Sequence, residues 1–408
     1  MSKKWLAREG DRWVREELVT PDQLARIRAL YDDGSPERSV GVLPLLGGLL
    51  LGLGVLSFVA ANWQALANEL RQAQLLAVML AAYAAGGRLI ARGRERLGVA
   101  IASVGLFAFG GGMILVHQMF HMVMYGAATL VVWSAAGAAL AYTLRSRYLY
   151  AVALVLTFVA QGYSLSAFGG RFSWTAFAVL ALALPWFALR RRESRFVPAL
   201  WSIGIVGQTL LLVLAMEWPF GAMFVPMALL YAVGDLLRGD RLRRAVQWPA
   251  LAAAFLFALG IVLFAGPLGA PTPLDAWVYL PALLALFAVS AYAKRRRGDA
   301  LSLLDWLPFA PFLYAAPSAM PVLYLVAAFA FALYALLRGY EEESRPRINS
   351  GTAAFLLATM AAYFKLTWAF LDKSLFFLLG GALLLTLSWF LGRRKKVVLR
   401  EATKEEER

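Results

Sequence analysis

The sequence predicts an all-α polytopic membrane bundle of about fourteen spans, and three observations carry that prediction. Of the 408 residues, 61% are hydrophobic and only 16% charged, against roughly half and a quarter in soluble domains. The apolar residues gather into runs close to the length of about 20 residues that a helix needs to cross a bilayer. Clusters of Arg and Lys separate those runs on alternate sides, as cytoplasmic loops require. Together these features exclude a soluble enzyme, a nucleic-acid-binding domain and a disordered scaffold.

The runs fall at 40–61, 72–89, 97–119, 122–143, 148–167, 172–189 and 196–215, then at 218–237, 246–266, 275–293, 301–315, 320–337, 349–369 and 374–392. A helix in lipid can be apolar all round, so periodicity says little and length with flanking charge decides. With the head cytoplasmic and sides alternating, the inner segments are the head, 88–96, 144–147, 190–195, 238–244, 294–299, 338–347 and the tail from Arg393. They hold 36 of the 40 Lys and Arg; Arg71, Arg171, Lys365 and Lys373 fall on or near the outer side. One span too many or too few would reverse every later loop. The span count is therefore even, and both termini are expected in the cytoplasm. The net charge of +15 then reports orientation, and it loses its force as a sign of nucleic acid or an acidic partner.

One stretch departs from the pattern. Asp305-Trp306-Leu307-Pro308-Phe309-Ala310-Pro311, followed by Pro317 and Pro321, is short and rich in helix breakers. It reads either as a broken span or as part of a re-entrant hairpin over 301–337, in which case the count is twelve spans with unchanged parity.

Three regions follow: a cytoplasmic amphipathic helical hairpin over 1–39, the transmembrane bundle over 40–392, and a basic then acidic cytoplasmic tail over 393–408. In the head, Trp5, Leu6, Trp13 and Val14 make an apolar stripe, and Thr20-Pro21-Asp22-Gln23 restarts a helix. Thr20 suits the cap, Pro21 the first helical position and Gln23 the capping-box position. This hairpin either packs on the inner membrane face or docks a cytoplasmic partner. The chain lacks a short basic start, apolar core and small-residue cleavage site, so the first span is expected to stay uncleaved. Fourteen spans divide into halves of seven, 40–215 and 218–392, whose odd number inverts one against the other as in many carriers.

Several stretches together resemble a family. They are the head with Trp13, Leu18 and Thr20–Gln23, the first span ending Ala60-Ala61-Asn62-Trp63, and Gly110–Gly112 followed by His117-Gln118-Met119-Phe120-His121. A closing module runs through Asn349-Ser350-Gly351, Tyr363-Phe364, Asp372–Phe377 and Gly380-Gly381. Over the first 125 and last 60 residues or so this resembles DUF2157, a family of predicted bacterial membrane proteins with an Ala-Asn-Trp span end and a Gln-x-aromatic-His element. The resemblance implies a multi-pass inner-membrane protein and no particular chemistry. Similar proteins often carry an Arg before the Tyr-Phe pair, where this chain has Ala362.

Candidate pathway residues are few. The resemblance singles out Asn62, Trp63, Gln118, His121, Tyr363 and Asp372. Intramembrane charge adds Asp305 and Lys365, because an ionisable group in a span is a functional candidate by default. Asp305 ranks first of these, lying on the proline-broken segment, where freed backbone groups can bind ions or substrate; the bland alternative is a salt bridge at the inner boundary. Asp235 lies near the inner end of its run with Arg238 to neutralise it, while Glu217, Asp275 and Asp372 sit at outer ends. His117 and His121 share a helix face at the spacing of a two-histidine metal site, yet no third ligand accompanies them, so polar packing or a pore lining is the leading reading. Gly48, Gly52 and Gly54, with Gly105 and Gly110–Gly112, suit close helix approach, and the triple glycine also suits a hinge. Trp63, Trp174, Trp218, Trp277 and Trp368 make an interfacial belt.

These features favour a transporter or flippase-like carrier of a small or amphiphilic substrate, lipid-linked and anionic among the options. A structural or sensory membrane component is the first alternative. A membrane-embedded transferase acting on lipid, with His121, Glu69, Asp305 or Asp372 as acid or base, is the second. The lipid bilayer is the expected environment, and no cofactor, metal or nucleic acid is called for. The chain has no Cys, which removes disulfides, thiolate metal sites and thiol nucleophiles.

Overall fold

A computed structural model describes residues 10, 13–14, 16, 19–24, 43–61, 68–120, 126–190, 194–264, 273–299, 303–316, 319–367, 381–382 and 385–386. Every regular element among them is helical, and the chain forms an all-α membrane bundle. It divides into two compact units, Met1–Val123 and Met124–Arg408.

The first unit contains α1 (Leu43–Ala61), α2 (Asn68–Ala91) and α3 (Glu95–Met119). Its helices touch through glycine. A Cβ on Gly48 would stand 2.5 Å from the carbonyl oxygen of Ala100, and one on Gly52 would strike the ring of Phe107. Gly98 and Gly86 press α3 against α2 so closely that a Cβ on Gly98 would reach the Gly86 oxygen at 2.6 Å. Lipid offers no hydrophobic drive between helices, so such backbone approach supplies the packing energy. Gly54 and Gly112 face open space instead. The third helix runs through Gly110–Gly112 without interruption. In the head, Thr20 and Gln23 close the expected capping box. The Thr20 N–H donates to Gln23 Oε1 at 2.9 Å, and the Gln23 N–H to Thr20 Oγ1 at 3.3 Å. Leu24 is buried with its side chain against Gly10.

The second unit contains α4 (Ala128–Thr143), α5 (Arg147–Ala167), α6 (Trp174–Ala178), α7 (Leu184–Arg190) and α8 (Phe196–Ala215), then α9 (Phe224–Leu236), α10 (Asp240–Phe264), α11 (Pro273–Arg297), α12 (Met320–Glu341) and α13 (Arg345–Thr367). A π turn, Val179–Ala183, joins α6 to α7 into one continuous helix. Its cause is Pro185, which has no N–H to give. Trp201 Nε1 donates instead to the carbonyl of Leu180, five residues before the proline, at 3.1 Å, and Tyr142 donates to that of Ala183 at 2.6 Å.

Residues 303–316 form no spanning helix. Two 3-10 turns, Leu304–Phe309 and Phe312–Tyr314, flank an extended Ala310 and the helix-breaking Pro311. A continuous neighbouring helix, α11, measures how far this segment travels. Asp305 lies beside Lys294 near one end of α11 (3.5 Å), whereas Tyr314 meets the ring of Tyr279, fifteen residues back along the same helix. At 1.5 Å per residue that is a displacement of about 22 Å. The following α12, with 22 residues and a length of about 33 Å, returns to the starting end, where Arg338 stands 3.9 Å from Asp305. The two therefore run out and back along α11. The proline-rich stretch is broken as expected, and the run at 374–392 lies almost wholly outside the described residues.

Irregular backbone at membrane depth survives only where protein surrounds it. Here Trp306, Phe309 and Leu313 are buried among Met223, Phe224, Tyr231, Tyr279 and Tyr324. Carbonyls that a helix would have paired find hydroxyls: Tyr324 donates to Ala310 O at 3.1 Å and Tyr279 to Phe309 O at 3.4 Å. Gly221 admits Leu313, whose methyl would stand 2.5 Å from a Cβ there.

Candidate functional site: a buried ion network beside the broken crossing

Where the broken crossing begins, α9, α10, α11 and α12 bring together ionisable side chains that lie far apart in sequence. Each helix contributes one face. Tyr231 and Asp235 are one turn apart on α9, and Ser290, Lys294 and Arg297 follow at successive turns on α11, spacings that align side chains along a helix.

Asp235, 2% exposed, is held by three donors. Ser290 Oγ donates to it at 2.6 Å, Gln247 Nε2 at 2.8 Å and Arg297 Nη2 at 3.3 Å. Gln247 also donates to the Tyr231 carbonyl at 3.0 Å. Its approach depends on Gly234, because a Cβ there would occupy the space of the glutamine side chain. The expected counter-ion of Asp235, Arg238, does not fill that role. The helix ends at Leu236 and the backbone turns through Gly239 (φ +98°), which carries Arg238 beyond the buried carboxylate. The cations that meet Asp235 are Arg297 and, at 3.9 Å, Lys294.

Lys294, 7% exposed, stands between two carboxylates. Its ammonium donates to Tyr231 Oη at 2.9 Å, lies 3.5 Å from Asp305 Oδ2 and sits 4.9 Å from the centre of the Tyr231 ring. Tyr231 in turn donates to Asp305 Oδ2 at 2.9 Å. Thus Lys294, Tyr231 and Asp305 form a chain of charge-assisted hydrogen bonds, the strong kind. The rings of Trp306, Phe287 and Phe309 close its buried side.

Outside this core the network grows wetter. Arg338 donates to Tyr334 Oη at 2.5 Å and to Glu342 at 3.0 Å, and Glu342 also pairs with Arg347. Arg297 and Arg243 share Asp299 at 3.3 and 2.7 Å, and Arg243 reaches Asp240 at 2.8 Å. Removing a charge from water costs several kcal/mol unless partners repay it. The inner carboxylates, Asp235 and Asp305, meet that condition through Lys294, Arg297 and Arg338.

Asp305 is thus the sequence candidate that the fold places in a constellation. Tyr363 and Lys365 lie elsewhere, eighteen residues from Arg347 to Lys365 along α13, or about 27 Å, and Lys365 is exposed. In the first unit, Gln118 is exposed, and His117 Nδ1 lies 2.9 Å from the Met113 carbonyl of its own helix. Among the described residues no three metal-ligating side chains gather. Asn62, Trp63, His121 and Asp372 lie outside the described residues, as does the side chain of Asp275. Sequence reading passed over Tyr231, Gln247, Ser290, Lys294 and Arg338. Lys294 in particular counted only as one more basic residue at a span end. The i, i+4, i+7 spacing of Ser290, Lys294 and Arg297 was the available signal, a weak one without a partner helix.

Residues 11–150 match the family model DUF2157, described as a predicted membrane protein. No curated protein matches the chain, and no solved structure does. The match covers most of the first unit and the start of the second. The ion network and the closing module at 349–381 lie beyond it.

Proposed function

We propose that this membrane protein is a transporter or flippase-like carrier of a small or amphiphilic substrate in the bacterial inner membrane, with both termini and the ion network on the cytoplasmic side. The observation that carries this reading is the proline-broken segment 304–314, which starts inside a buried ion network. A segment held by two short 3-10 turns and two tyrosine hydroxyls, with no continuous α-helical ladder, can rearrange at lower cost than a helix. Carriers commonly use such discontinuous segments. Charge buried at its entrance is costly to keep, and such groups in membranes tend to mark substrate or ion pathways. The cytoplasmic placement rests on the 36 basic residues assigned to one side.

The chain has no cysteine, so single-cysteine accessibility tests the proposal without knowledge of the substrate. Ala310 lies in the middle of the broken crossing. In oriented vesicles, Ala310→Cys is expected to react with a membrane-impermeant maleimide from either side, as alternating access demands. Unreactive Ala310→Cys alongside a freely labelled loop cysteine would indicate a static bundle and favour a structural or sensory role.

A further inference from the structure

The two inner carboxylates are bound in different ways. Asp235 sits on a regular helix, is satisfied by Ser290, Gln247 and Arg297, and is sealed from solvent. Asp305 is carried by a six-residue 3-10 turn, and its side chain is 18% exposed. Among the described residues it meets groups supplied by neighbouring helices: Tyr231 of α9, Lys294 of α11 and Arg338 of α12. Those three groups face one point from three helices, and the broken segment merely delivers a carboxylate to it. Without Asp305, Lys294 would retain Asp235 only at 3.9 Å, an arrangement that leaves a buried ammonium poorly compensated.

We propose that Tyr231, Lys294 and Arg338 form an anion-binding cradle, and that Asp305 is its internal occupant, standing in for the carboxylate or phosphate group of the transported substrate. When the broken segment moves, the cradle opens toward the basic end and accepts an external anion with the same chemistry. Arg338, the most exposed of the three with its side chain 35% accessible, receives the anion first, and Lys294 and Tyr231 complete its hydrogen bonds. The inference rests on the carrier reading for the anion's role as substrate, whereas the cradle itself is tested by binding alone.

The test uses the full chain in nanodiscs, with inorganic phosphate and acetate as probes. Asp305→Ala is expected to bind phosphate about tenfold more tightly than the wild type. Lys294→Gln added to Asp305→Ala abolishes the gain, and Asp305→Glu, which keeps an occupant, shows none. Should Asp305→Ala prove unstable, phosphate is expected to raise its thermal midpoint while leaving the wild type unmoved. Discs of phosphatidylcholine alone and discs containing phosphatidylglycerol separate the sources. Phosphate binding in the former identifies a free anion, and stabilisation by the latter with no further effect of phosphate identifies a lipid headgroup. If Asp305→Ala shows no anion effect beyond that of the Lys294→Gln double variant in either disc, the cradle is overturned. Loss of alternating access with anion binding intact would remove the carrier reading and leave the cradle standing.

Discussion

Gln247 reaches both Asp235 and the Tyr231 carbonyl across the space that a side chain on Gly234 would fill. The glycine on α9 thereby determines how a carboxylate one residue later is satisfied. Gly234→Ala is expected to displace Gln247 and cost about 1–3 kcal/mol, the range for leaving a buried polar group without its partner. Thermal unfolding of the purified protein checks this, and Gln247→Leu should recover part of the loss in the Gly234→Ala background by removing the displaced amide.

Asp235 and Lys294 should respond to substitution as a coupled pair. Asp235→Ala leaves Lys294 and Arg297 facing a vacated site, and about 3–5 kcal/mol is the usual penalty for breaking a buried pair. The double variant Asp235→Asn with Lys294→Met should be less destabilised than the sum of its single changes. A double-mutant cycle measured by unfolding reads the coupling directly, and strict additivity would mean that the two groups act independently.

The glycines of α1 make a contrast within a single helix. Gly48→Val drives a side chain into the Ala100 backbone, which cannot move aside, whereas Gly54→Val meets open space. The first is expected to destabilise the protein by about 1–3 kcal/mol and the second to stay within about 0.5 kcal/mol. Equal effects would show that propensity, not close approach, decides these positions.

Topology can be read with the same cysteine-free background. Arg94 and Arg171 are both exposed, the first between α2 and α3 and the second before α6. Arg94→Cys is expected to label only from the cytoplasmic side and Arg171→Cys only from outside. Labelling of both from one side would break the even-span arrangement.

Much of the architecture is legible in the sequence. The run at 196–215 coincides with α8, and the capping box at Thr20 and Gln23 forms with both of its hydrogen bonds. Such features depend on neighbours in sequence or on the uniform demand of lipid, so local reading suffices. The glycine pair Gly48 and Gly52 was also legible as packing, although the partners, Ala100 and Phe107 on α3, were not.

The sequence by itself determined that this is a multi-pass helical membrane protein, because hydrophobic length and loop charge act residue by residue. It also marked 301–315 as abnormal, since two prolines remove amide donors wherever they fall. Only the tertiary structure decided that this segment runs beside α11 as two short 3-10 turns, because its free carbonyls depend on Tyr279 and Tyr324. Likewise Lys294, which the sequence presents as one basic residue among four at a span end, is turned inward by helix geometry between Asp235 and Asp305. An ion pair is a property of two positions in space, and residues 59 apart on different helices reveal it only once the bundle has packed.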